Sequence, residues 1–313
     1  MVFPLLEVLK NAMSRQKLVA MVAFALIAGS AFAESGIKLL KPDGTQNKAA
    51  WMAQGGYGMM VHYLISPKGN TPAEKTADLN RIVDQFDLPF FMAQFDQAGA
   101  DWLIFTLAQG TGYLSSRNEF IDHLEEGYSP RRDLVSEIGD ALHKRGKRLI
   151  VYLPGAHTGA DPTIKRLLGL GQEGYADRHN DFIRHFSLKL GKRLDGWWFD
   201  SCGPQTNEAW QKEIEASKAG NPDSVVAFSG AEFCASGGQL MPRCPIEDYH
   251  AGEIHLLEDS KIRTDFVYPP GEGIVINADR KLRKQGQEAV MYLPDSQFIE
   301  NVQWHGLLPI DLT

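Results

Sequence analysis

The chain has 313 residues, 43% of them hydrophobic and 23% charged, the balance of a globular protein that can bury a sizeable core. Its formal net charge of −7 argues against nucleic acid or an anionic membrane as the main partner, because both select basic patches. No low-complexity tract and no short-period repeat appears.

From Met13 the chain reads "MSRQKLVAMVAFALIAGSAFAES". Arg15 and Lys17 give a positive start, Leu18 to Ala28 an apolar run, and "AFA" ending at Ala33 a small-residue cleavage site. That is the three-part pattern of a secretory signal peptide. The run falls short of the roughly 20 apolar residues of a spanning helix, so no membrane span is expected after cleavage. The expected domains are a signal at 1–33, with Met13 an alternative start, a polar irregular segment at 34–55, and one folded body at 56–313. Such a chain is exported, to the periplasm or beyond.

Next, "YGMMVHYL" is a short apolar run of strand type, and Leu79, Ile82, Val83 and Phe86 recur at helical spacing. "DWLIFTL" reads as the second strand. "SPRRDLVSEIGDALHKRGKR" is the clearest helix, with Ser129 as cap, Pro130 in the first turn, Leu134, Ile138, Ala141 and Leu142 on one face, and Gly146 as stop. "RLIVYLP" follows as strand three, then a helix through Phe182, Ile183, Phe186 and Leu190, then "GWWFDS" as strand four. Trp210 and Ile214 mark another helix, and "SVVAFSG" is strand five. "YHAGEIHLL", "GIVINA", "EAVMYLP" and "QWHGLLPID" are looser strand candidates.

Strands apolar throughout are buried on both faces, and their alternation with amphipathic helices calls for a parallel sheet. Eight such units make a (β/α)8 TIM-like barrel, here with a looser C-terminal end. A doubly wound sheet is the alternative, but no glycine-rich phosphate loop follows the first strand, and no residue set for a nucleotide or flavin cofactor is present.

In a barrel, residues just past the carboxyl ends of the strands form the active face. Those positions hold His62, Tyr113, Tyr152 with His157, Asp200, Glu232, and the group Glu247, Asp248, His250 and Glu253. Aromatic faces, carboxylates and histidines in one cup fit a carbohydrate, and a glycosidase needs two carboxyl groups flanking the scissile bond. Asp200 could instead cap the next helix, but that helix starts only near Thr206. Trp197 and Trp198 point to opposite faces of their strand, so only one can meet a ligand. Cys234 and Cys244 are a disulfide candidate in an exported chain, with Cys202 left over. No C-x-x-C or paired-histidine spacing supports a metal site.

In order, "YGMMVHYL", "SPRRDLVSEIGDALHKRGKRLIVYLP" and "LDGWWFD" resemble the catalytic barrel of the α-L-fucosidases of glycoside hydrolase family 29, over about residues 51 to 255. The resemblance implies Asp200 as nucleophile, Trp198 and His62 as sugar-site residues, and Glu253, in "DYHAGEI", as acid/base. It also exposes departures. Gln109 and Gly110 stand where the family carries a histidine pair, and no arginine follows strand five. The expectation is an exported, retaining glycoside hydrolase with Asp200 and Glu253 catalytic and His62, Tyr152 and Trp198 positioning the sugar. Two rivals remain: a carbohydrate-binding barrel without catalysis, and a metal-dependent hydrolase using His62 and His250.

Overall fold

The computed structural model describes residues 48–155, 162–203, 205–229, 233–234, 240–241, 244 and 246–251. The expected signal segment and the strand candidates beyond residue 251 lie outside the described residues. A one-turn helix α1 (Ala50–Gln54) falls within the stretch expected to be irregular. Then β1 (Gly58–Val61) is followed by α2 (Pro72–Asp84) and α3 (Leu88–Ala98). Next come β2 (Trp102–Thr106), α4 (Glu119–Leu124), α5 (Leu134–His143) and β3 (Arg148–Pro154). After α6 (Pro162–Leu167) and α7 (Tyr175–Leu190), β4 (Gly196–Asp200), α8 (Asn207–Ser217) and β5 (Val225–Phe228) continue the alternation. A two-residue antiparallel pair, β6 (Phe233–Cys234) and β7 (Leu240–Met241), comes last.

The five strands β1 to β5 form one sheet in sequential order, every pair parallel. A doubly wound sheet reverses its order at a switch point, and none occurs among these five strands. Residues on one face of the sheet, Leu103, Phe105, Val151, Trp197, Phe199 and Phe228, share a core with the helix residues Leu79, Phe95, Ile138, Phe182 and Trp210. The opposite face carries a separate cluster built on Trp102, Ile104, Ile150, Tyr152, Trp198 and Val225. Helices packed on a single face of a sequential parallel sheet is the arrangement of consecutive units in a β/α barrel.

The two faces explain the apolar "GWWF". Trp197 stacks on Phe199 with centroids 5.3 Å apart, Phe199 stacks on Phe228 at 5.2 Å, and Trp210 of α8 meets Phe228 at 4.5 Å. The Trp197 indole N–H donates to the Ser217 carbonyl at 3.0 Å, satisfying its one polar atom. Trp198 faces the other way, as strand alternation requires. Each such ring contributes roughly 1.5–3 kcal/mol through burial.

Helix starts follow the expected chemistry with one correction. Thr71 caps α2 in a capping box with Glu74, and Thr206 caps α8 by accepting from the Ala209 amide at 3.2 Å. α5, however, begins at Leu134 behind Asp133, four residues later than a Ser129 cap implies. The Ser129 hydroxyl is spent elsewhere: it accepts from the Asn118 amide and donates to Asp122. Gly146 does sit just past the helix, with φ of +66°, where an L side chain is strained.

The segment 247–251 lies along the outer edge of β5. The Asp248 amide donates to the Val226 carbonyl at 2.9 Å, and the Asp248 carboxylate accepts from the Val226 amide at 3.0 Å. Glu247 accepts from the Phe228 amide at 3.1 Å, and Lys218 donates to Asp248 at 2.5 Å. Asp248 and Glu247 therefore bind backbone at the sheet edge rather than lining an open cup.

Candidate active site

The register of the sheet assembles the site. Tyr152 lies opposite Trp198, and Pro154 lies opposite Asp200. Alternate residues share a face, so Trp198 and Asp200 stand on the face away from the helices, beside Tyr152. On β1, Met60 packs against that same face, which places His62, two residues on, at its upper end.

The side chains complete what the register begins. The Tyr152 hydroxyl donates to Asp200 Oδ2. The Tyr152 ring stacks on Trp198 with centroids 5.3 Å apart and 16° between planes, while His62 meets its other side edge-on at 5.2 Å and 74°. His62, Tyr152 and Asp200 thus form one line along the carboxyl ends of β1, β3 and β4. Asp200 is half-buried and His62 exposed, so a ligand can reach both. Trp198 is 2% exposed, and its indole N–H donates to the Ala251 carbonyl at 3.1 Å. It serves as the floor under Tyr152.

His62 Nδ1 lies 2.6 Å from the Gln109 side-chain Oε1, so the two side chains are joined by a hydrogen bond. Sequence reading singled out Gln109 only as a departure from a histidine pair. Its place three residues past β2, at the strand end next to the one that carries His62, was the signal for a site role.

The turn after Asp200 is held unusually tightly. Ser201 has φ of +54°, the one described non-glycine residue in the left-handed region. Such a conformation costs of order 1–3 kcal/mol and persists only when its surroundings impose it. Here the Cys202 amide donates to the Ser229 carbonyl and the Ser229 amide to the Phe199 carbonyl, both at 2.7 Å. The Gly155 amide donates to the Asp200 carbonyl at 2.6 Å, and a Cβ on Gly155 would sit 2.5 Å from Cys202 Sγ. Three neighbouring strand ends therefore fix the backbone that carries the carboxylate. Thr206 caps α8 without help from Asp200, which removes the simple capping role.

Glu253, Glu232 and His157 lie outside the described residues, as does the side chain of Cys234. Cys244 is buried, and burial pushes its thiol up to about 12. Tyr113 stacks on Tyr128, centroids 5.2 Å apart, and sits apart from the His62–Tyr152–Asp200 line. His250 is buried at 1% exposure. Among the described residues no group of three or more His, Cys, Asp or Glu stands close enough together to hold a metal ion.

No model of a known protein family matches the chain, and no curated protein matches it either. Solved structures do. A variant of an endo-fucoidan hydrolase of glycoside hydrolase family 107 superposes with a TM-score of 0.50 at 18% identity, over 66% of this chain and 37% of its own. The unaltered hydrolase gives 0.49 at 19%, covering 66% and 36%. An α-L-fucosidase, AlfC from Lactobacillus casei, gives 0.44 at 16%, covering 58% and 69%. This chain spans little more than a third of the length of those family 107 hydrolases. At such identity the first likeness speaks for the fold alone, and the two below 0.5 carry no argument. The parallel β/α part of this chain thus shares its fold with part of that family 107 structure.

Proposed function

We propose that the chain is an exported, retaining glycoside hydrolase of α-L-fucosidase-like type, built on a (β/α)8 TIM-like barrel. The observation that carries this reading is the strand-end carboxylate of Asp200, held by Tyr152 through Oδ2 beside exposed His62. With Oδ2 engaged, Oδ1 is presented for attack on an anomeric carbon. The bond formed is Asp200 Oδ1 to that carbon, and the bond broken is the one to the leaving oxygen, which takes a proton from a carboxylic acid. Glu253 is assigned that role. It then removes a proton from water, which hydrolyses the glycosyl ester and frees Asp200. Tyr152, through its bond to Asp200, Trp198 behind its ring, and the exposed His62 beside it position the sugar.

Replacing Asp200 by Asn should lower kcat on an aryl α-L-fucoside by at least about 10³-fold while the fold is kept. Retained turnover would refute the nucleophile role. A crystal structure placing the Asp200 and Glu253 carboxyl groups about 5 to 5.5 Å apart supports retention, and roughly 6.5 to 9.5 Å means inversion. The second reading, a sugar-binding barrel without catalysis, is favoured by Gln109 standing on His62 where the family resemblance calls for histidines. Calorimetric binding without hydrolysis of any aryl glycoside in a panel would select it.

A further inference from the structure

The ladder between β1 and β2 ends at the pair Val61 and Phe105, one residue short of His62. Beyond it, three side chains from β2 and the loop that follows take over the stitching. The Thr106 hydroxyl donates to the Val61 carbonyl at 2.9 Å, and the Thr111 hydroxyl to the Ile65 carbonyl at 2.6 Å. Between these two anchors, Gln109 Oε1 meets His62 Nδ1 at 2.6 Å. The threonines hold main chain, whereas Gln109 holds a side chain.

The loop is shaped for that reach. The Thr111 amide donates to the Gln109 carbonyl at 2.9 Å, closing a tight turn around Gly110. Gly110 has φ of +74°, and a Cβ there would meet nothing within 4 Å. The glycine therefore answers a conformational need and not a steric one. His62 itself is exposed, and the edge of its ring contact with Tyr152 is 5.2 Å between centroids. Among the described residues the Gln109 bond is the one hydrogen bond to that ring. A side chain ordered before its ligand arrives spares the ligand the cost of ordering it, worth about two- to tenfold in affinity.

We infer that Gln109 is a positioning residue, which sets the orientation of the His62 ring and acts on sugar binding only through it. This rests on the reading that His62 helps to position the sugar. Calorimetry with L-fucose on Gln109→Ala, His62→Ala and the double variant tests it. Gln109→Ala should weaken binding about two- to tenfold, and the double variant should bind as His62→Ala does. On an aryl α-L-fucoside, Gln109→Ala should raise KM and leave kcat nearly unchanged, whereas Asp200→Asn strikes kcat. Gln109→Glu, which keeps an oxygen at the same reach, should bind as the parent does. Should Gln109→Ala unfold, Gln109→Met, of similar length without the amide, supplies the same comparison. A crystal structure of either apolar variant should show the His62 ring turned from its place against Tyr152. Losses that multiply in the double variant, or a His62 ring that keeps its place, overturn the inference. A parent that binds no L-fucose would sink the fucosidase reading, and the ring orientation would still decide the role of Gln109.

Discussion

At the scale of single residues, Gly155 and Glu213 make opposite demands. A methyl on Gly155 would press on Cys202 Sγ and on the Asp200 carbonyl, the latter at 3.0 Å. Gly155→Ala should therefore destabilise by about 1–3 kcal/mol, seen as a lower Tm, and lower kcat beyond that by shifting the carboxylate. Glu213 is raised from 4.5 to about 7 by burial. The folded protein then holds a proton that the unfolded chain has released between those values, so stability falls as pH climbs through that window and stays low above it. The loss is of order 3 kcal/mol. Glu213→Gln should raise Tm relative to the parent at pH 8 and match it near pH 4.5, in thermal melts across that range. Neither group announces itself in sequence: a glycine after a strand and a glutamate in a helix are commonplace, and only their neighbours give them meaning.

At the scale of elements, β4 was legible almost to the residue, because a run of aromatics ending in an acid has few other homes. β3 was legible for the same reason, as its apolar run is bounded by Arg148 and Pro154. The start of α5 was misread because Ser-Pro is a common helix opening, whereas here Ser129 is held by Asn118 and Asp122. Glu247 and Asp248 looked like site carboxylates from sequence but serve the backbone of β5, a contact between segments about 20 residues apart that no local pattern reveals. Trp197→Ala should cost about 3–5 kcal/mol by hollowing the aromatic column shared by β4, β5 and α8, measured by denaturant unfolding. Tyr152→Phe, which removes only the donor to Asp200, should leave stability nearly intact and reduce kcat more than KM.

At the scale of the whole molecule, the ordered alternation of apolar strands and amphipathic helices was readable because its period is a physical necessity of a parallel sheet. The substrate was not, since a fold hosts many chemistries and the sugar is chosen by a few side chains at strand ends. The negative charge of the chain also sets an expectation. Neutral fucosides should be bound in preference to sulfated glycans, and whatever weak binding the latter show should strengthen as added salt screens repulsion, in titrations at two ionic strengths.

The outer edge of β1 gives the fold a direction in time. Among the described residues β1 pairs only with β2, so the backbone groups along Gly58–Val61 have one side still to be answered. In the proposed barrel a later strand answers them, and until it does the first strand keeps an open edge. Chains cut short near residue 251 should accordingly self-associate, their unsealed first strands finding one another in place of the missing partner.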